Sequence, residues 1–133
     1  MRRFRRRDGM LGEMTGRITT IGIIGAGQMG GGIAHVAALA GYRVRLHDVS
    51  PERIEAGLAT INGNMARQVS SGKMDEDTRK QALARITAAP SLEDLAGVDL
   101  AIEAATENET VKRKIFAQLC PVLNPEALLA TNT

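Results

Sequence analysis

Apolar residues along the chain keep two rhythms, short unbroken aliphatic runs and longer stretches spaced by three and four, which predicts strands alternating with helices. Residues 18–24, ITTIGII, end in glycines and predict a buried strand. From Gln28 to Ala40 the positions Met29, Ile33, Val36, Ala37 and Ala40 recur at helical spacing, with Gly41 as the terminating cap. Tyr42 to Asp48 predicts a second strand, so strand, glycine turn, helix and strand compose one βαβ unit. Ser50 and Pro51 open a long helix whose apolar positions Ile54, Leu58, Ile61, Met65 and Val69 carry it to about Ser70. Beyond Gly72, Asp75 and Asp77 cap a second helix through Ala84, which makes a helical hairpin. Residues 86–88 predict a brief third strand, SLEDLAG a turn, 98–104 a fourth strand and 127–131 a fifth. Between the last two strands Glu107 to Leu123 predicts a helix, with Val111, Ile115, Phe116, Leu119 and Val122 on one face and Asn124 with Pro125 as its stop.

This alternation predicts the α/β class: a doubly wound parallel sheet in the order 3-2-1-4-5, with the helical hairpin inserted after strand 2. The fifth strand is the last in the sequence, so one sheet edge is expected to lack a partner. Aromatic residues are scarce, one Tyr, two Phe and no Trp, so the core must be built from Ile, Val, Leu, Ala and Met. Such strands suit a sheet buried on both faces. The length of 133 residues allows one domain, expected over 18–133 behind a structureless basic leader, residues 1–17.

Charge narrows the partners. The net charge of +2 comes from the leader, which holds six Arg against Asp8 and Glu13 and leaves 11 basic and 13 acidic residues after it. A mildly acidic body is a poor nucleic-acid footprint. The leader has no apolar stretch of signal-peptide length, and no later segment approaches the ~20 apolar residues of a membrane span. A cytoplasmic protein without a membrane partner is expected. The Arg-rich start also has features of a transit peptide, and Met10 and Met14 are alternative starts; a disordered or mis-started leader is the preferred reading. The single cysteine, Cys120, excludes an internal disulfide, and its spacing with Phe116, Leu119 and Leu123 favours burial over catalysis.

The sharpest chemical signal is Gly25-Ala26-Gly27-Gln28-Met29-Gly30, which fits the dinucleotide fingerprint G-x-G-x-x-G. Gly25 allows the tight turn, Gly27 lets backbone approach a diphosphate, and Gly30 lets helix pack closely on strand. The N–H groups and positive dipole at the helix N-terminus would face the diphosphate charge. Such a turn can be merely a turn, but here a strand precedes it, a helix follows, and Asp48 ends the second strand near the spacing expected of a ribose-binding acid. The Asp48 carboxylate would repel a 2′-phosphate and no Arg follows at 49–52, which favours NAD over NADP. His47 alternates to the opposite strand face and reads as a packing residue, and His35 inside the first helix is poorly placed for catalysis. Gly31 and Gly32 extend the glycine run and loosen the first helical turn.

Four blocks, GAGQMGGGIAHVAALAGYRVRLHD, GLATINGNMARQVSSGKM, DLAIEAATENETVKRKIF and ALLATNT, resemble successive segments of the 3-hydroxyacyl-CoA (3-hydroxybutyryl-CoA) dehydrogenases over residues 18–133. The resemblance implies a Rossmann-type NAD-binding domain of an oxidoreductase of fatty acid β-oxidation or butanoate metabolism. It also implies that Glu107 and Lys112 contact the cofactor near the nicotinamide-side ribose, and that Asn132 lies near the nicotinamide and substrate. Asn64 and Lys73 fall in the hairpin that such enzymes turn toward the CoA moiety. Read by themselves, Glu107, Lys112 and Lys73 could instead be solvated charges, and Asn132 a turn residue capping a strand.

In the family, TNT continues into a serine, and a His–Glu pair, a further Asn and a helical dimerisation domain follow. None of these is in the sequence given, so NAD binding without turnover is expected of it, with no catalytic residue and no metal. An acyl-CoA substrate and a homodimer are expected only of the complete enzyme. A stand-alone dehydrogenase is favoured over a piece of a multifunctional chain, because 17 residues precede the first strand. A non-catalytic NAD-binding or redox-sensing module, or a basic-tailed interaction protein, are the alternatives.

Overall fold

A computed structural model describes residues 18–131; the leader and Asn132 lie outside the described residues. Strand β1, Thr20–Ile24, is the centre of a five-stranded parallel sheet. Helix α1, Gln28–Leu39, leads to β2, Arg43–His47, and the hairpin α2, Pro51–Ser70, with α3, Glu76–Ala84, leads to β3, Ile86–Ala88. A short 3-10 turn, Leu92–Leu95, precedes β4, Leu100–Glu103; helix α4, Glu109–Leu119, and β5, Leu128–Thr131, follow. The sheet order is β3-β2-β1-β4-β5, with Ile21 opposite Val44 on one side and Leu100 on the other. This is the predicted doubly wound order, with the hairpin inserted after the second strand.

Alternation along the strands sends successive side chains to opposite layers. Ile21, Ile23, Val44 and Leu46 pack with Ala34, Ala37, Ala38, Ile61, Met65 and Ala82 under the first three helices. Ile24 and Ala101 face the other layer, where Leu95, Val98 and Leu119 close the core. The core is aliphatic, as the composition requires. All five residues of β1 are buried and all four of β5 are exposed. Leu128 and Leu129 therefore lie open on an edge strand paired only with β4 among the described residues.

The helices depart from expectation in which face they bury. In α1 the buried stripe is Gly30, Ala34, Ala37 and Ala38, whereas Met29 and Val36 are 51% and 67% exposed. Small residues let the helix lie close on the sheet; Ile33 and Leu39 pack at the margin of the core and Met29 and Val36 turn outward. Helix α4 begins two residues later than predicted, at Glu109, after the N-cap Asn108, whose side chain accepts from the Val111 N–H. It ends at Leu119 because Pro121 has no N–H to carry the helical ladder past the Cys120 cap. Cys120, expected in the core, is exposed. Leu119 occupies the inward position, and the next residue is turned about 100° around the helix axis. The segment predicted as a simple turn after Pro90 is a 3-10 turn closed by a capping box between Ser91 and Asp94.

Candidate functional site

The glycine turn lies between the carboxyl ends of β1 and β4, where the strand order reverses. Crossovers leave in opposite directions there and open a crevice above the sheet. Gly25 has φ +115°, and a Cβ on it would stand 2.7–2.8 Å from the Ala104 and Ala105 backbone. Its N–H donates to His47 O at 2.7 Å, which draws the turn onto the end of β2. Gly30 begins the buried side of α1, and a Cβ there would stand 1.7 Å from Gly25 O. At Gly27 a Cβ would meet nothing within 4 Å. Gly25 and Gly30 are thus demanded by the protein's own packing, whereas Gly27 leaves its approach clear. Gly27, Gln28 and Met29 are exposed, while Gly25, Ala26 and Gly30 are buried.

Helix α1 begins unlike the other three described α-helices. Ser50, Asp75 and Asn108 each accept a first-turn N–H with a side chain, and each of those helices has an acid in its first turn. The N-cap of α1 is Gly27, with no side-chain cap and no first-turn acid. Its first N–H groups and the positive end of its dipole therefore point outward unneutralised, which suits an anion.

Asp48, just past β2, is 7% exposed. Its Oδ2 accepts from the Ala26 N–H at 2.9 Å and its Oδ1 from the Ser50 N–H at 3.2 Å. The carboxylate is thus fixed against the glycine turn, and its remaining lone pairs can still accept from a ligand hydroxyl. Gly57 completes the support: a Cβ on it would stand 2.9 Å from Ala26 O, so α2 rests directly on the turn. Sequence reasoning missed Gly57, although a glycine inside a long helix costs stability and so asks for a packing reason.

On the β4 side Lys112 is buried and Glu107 lies at the surface. Glu107 is exposed, and Lys112 is 3% exposed with its Nζ 3.3 Å from Glu103 Oε1. The Lys112 ammonium also donates to Thr131 Oγ1 at 3.0 Å, and that hydroxyl donates to Glu103 Oε1 at 2.8 Å. Glu103, fully buried, further accepts from the Ala105 and Thr106 N–H groups at 2.8 and 3.1 Å. Burial pushes its carboxyl up, but the Thr131 hydroxyl, the two N–H groups and the ammonium together outweigh this and hold it below the ordinary value. Glu103 was missed in the sequence, where its signal is a lone acid in an aliphatic strand.

The two hairpin candidates stand away from the turn. Asn64 accepts from Arg67 on the surface of α2, seven residues beyond Gly57, or ~10 Å along the helix. Lys73 is exposed in the bend between α2 and α3. Both histidines hold structure together: His47 Nδ1 bonds Ala89 O at 2.8 Å, and His35 Nε2 bonds Gln68 Oε1 at 3.2 Å across α1 and α2. Among the described residues no cluster of three or more His, Cys, Asp or Glu could hold a metal ion. No described helix is long and apolar enough to cross a membrane.

Residues 20–133 match the family model described as 3-hydroxyacyl-CoA dehydrogenase, NAD binding domain. The chain belongs to that family. A 3-hydroxybutyryl-CoA dehydrogenase of Bradyrhizobium diazoefficiens is 59% identical over 120 residues, covering 90% of the chain and 41% of that protein. The crystal structure of (S)-3-hydroxybutyryl-CoA dehydrogenase from Ralstonia eutropha superposes with a TM-score of 0.85 at 40% identity, covering 87% of the chain and 41% of that structure. The fatty acid oxidation complex subunit alpha of Colwellia psychrerythraea is 33% identical over 119 residues, 16% of its length. The chain thus spans about two fifths of the length of these two 3-hydroxybutyryl-CoA dehydrogenases. NAD is the cofactor of this domain, and the open approach at Gly27, the uncapped start of α1 and the anchored Asp48 carboxylate fit it.

Proposed function

We propose that this dehydrogenase domain cradles the NAD diphosphate on the Gly25-Ala26-Gly27-Gln28-Met29-Gly30 turn and holds the adenosine ribose with Asp48. Lys112, Glu107 and Asn132 serve the nicotinamide end, and Asn64 and Lys73 meet the CoA moiety. The complete protein oxidises an (S)-3-hydroxyacyl-CoA to the 3-ketoacyl-CoA, in fatty acid or butanoate metabolism in the cytoplasm, as a homodimer formed outside this domain. Residues 1–133 by themselves bind NAD without turning over substrate.

The observation that carries this reading is the pairing of an uncapped helix start with a carboxylate fixed on the same turn. First-turn N–H groups bind the diphosphate, and Asp48 orients the ribose while excluding a 2′-phosphate by charge repulsion. Glu103 and Thr131 hold the Lys112 ammonium at the carboxyl ends of β4 and β5, so its position does not depend on ligand. When bound, NAD supplies a nicotinamide ring that accepts hydride.

The test is calorimetric titration of NADH into the 133-residue chain, with an NADH oxidation assay on acetoacetyl-CoA. One saturable NADH site and no turnover are expected. Failure to bind NADH overturns the cofactor assignments, and measurable turnover shows that catalytic groups have been misplaced.

A further inference from the structure

Glu103, at the carboxyl end of β4, is sealed from solvent, and its two oxygens are committed to different parts of the crevice. Oε2 accepts from the Ala105 and Thr106 N–H groups and so fixes the chain just past the strand. That segment is the wall on which the glycine turn rests. The Ala104 N–H donates to Ile24 O at 2.8 Å, and a Cβ on Gly25 would strike the Ala104 and Ala105 backbone.

The same segment sets the start of α4. The Thr106 hydroxyl oxygen accepts from the Asn108 N–H at 2.9 Å, the Asn108 side chain caps the helix, and the Asn108 carbonyl accepts from the Lys112 N–H at 3.0 Å. Glu103 therefore reaches Lys112 twice. Through Oε2 and this segment it places the Lys112 backbone, and through Oε1, 3.3 Å from Nζ, it places the ammonium.

Thr131 gives the ion pair its direction. It stands opposite Glu103 in the ladder between β4 and β5. Its hydroxyl has one proton, donated to Glu103 Oε1, which leaves the lone pairs of Oγ1 for the Lys112 ammonium. A lysine ammonium is a point charge on a flexible stem, so attraction to one carboxylate oxygen does not by itself fix where it stands. Two acceptors on neighbouring strands do.

We infer that Glu103 and Thr131 are positioning residues for the nicotinamide half of the cofactor site, acting through Lys112. The inference rests on the reading of Lys112 given above and adds that the Thr131 hydroxyl sets how tightly that half is held, whereas the adenosine half does not depend on it.

Thr131 is exposed on an edge strand that favours β-branched side chains, so Thr131→Val removes the hydroxyl and keeps the fold. Calorimetric titrations of the parent chain, Thr131→Val and Thr131→Ser with NADH and with ADP test the inference, because ADP has the adenosine ribose and the diphosphate but no nicotinamide half. In Thr131→Val the NADH affinity should fall about tenfold, the scale of one hydrogen bond to a charged group, while the ADP affinity stays at the parent's value. Thr131→Ser, which restores the hydroxyl, should bind NADH as the parent does. A merely structural role would weaken both ligands together. Equal losses for NADH and ADP, no loss for either, or a serine variant as weak as the valine one overturn the inference and leave the cofactor reading standing. A parent chain that binds neither ligand overturns the cofactor reading, and this inference with it.

Discussion

Gly27 and Gly30 stand three residues apart in one turn, and the missing side chain means something different at each. A Cβ at Gly30 would collide with Gly25 O at 1.7 Å, whereas one at Gly27 would meet no protein atom within 4 Å. Gly30→Ala is expected to lower stability by on the order of 2–3 kcal/mol through overpacking, and to weaken NADH binding with it. Gly27→Ala, at an ordinary φ of −77°, should keep stability within about 1 kcal/mol yet weaken NADH about tenfold. Urea unfolding and NADH titration of both variants separate the two roles, and equal effects in both assays would contradict them. The roles of these glycines were readable because the fingerprint states a reason for each. Glu103 and Gly57 were not, since their meaning depends on Lys112 and Ala26, partners that only the folded chain brings near.

Elements were legible in kind and order, and less so in orientation. The βαβ unit, the hairpin and the third strand at Ile86–Ala88 follow from pattern, because aliphatic runs and capping residues are local. Which face a helix buries is a tertiary matter. On α4 spacing put Val111 inside, yet Val111 is 41% exposed and Lys112 is buried, because Glu103 on β4 offers a counter-charge beneath that position. The Thr131 hydroxyl joins both, so one network fastens α4, β4 and the edge strand β5 together. Glu103→Gln leaves the ammonium buried beside a neutral amide, and its expected cost is on the order of 3 kcal/mol at neutral pH. Loss of urea resistance of that size is the expected result, and an unchanged midpoint would show that the network contributes nothing to holding these elements.

For the whole molecule, the sheet order was derivable because right-handed crossovers leave few alternatives for this element sequence. The roles of Asn64 and Lys73 were not, because on one domain both sit on the hairpin away from the glycine turn. Acid should unfold the domain in a definite direction. Burial opposes the lowering at Glu103, but the Thr131, Ala105, Thr106 and Lys112 bonds exceed it; the Thr19 N–H chiefly lowers Asp99, and the Thr78 N–H chiefly lowers Asp75. Carboxyls lowered on folding contribute stability that is complete above their ordinary values and lost as pH falls through the lowered ones. The melting temperature is therefore expected to hold steady from about pH 6 to 8 and to fall below about pH 4.5. In Glu103→Gln the acid decline should be shallower, and a decline as steep as the parent's would exclude Glu103 from it.

The central claim, that the Asp48 carboxylate and the start of α1 together select and hold NAD, is tested most directly by the ratio of NADH to NADPH affinity. Fluorescence titration of the chain and of Asp48→Asn, which keeps an acceptor toward the Ala26 N–H, gives that ratio. The parent should prefer NADH by about tenfold or more, the scale of one charge-dependent contact, and the variant should move toward parity. Equal affinity of the parent for both cofactors, or a ratio that Asp48→Asn leaves unchanged, would contradict it.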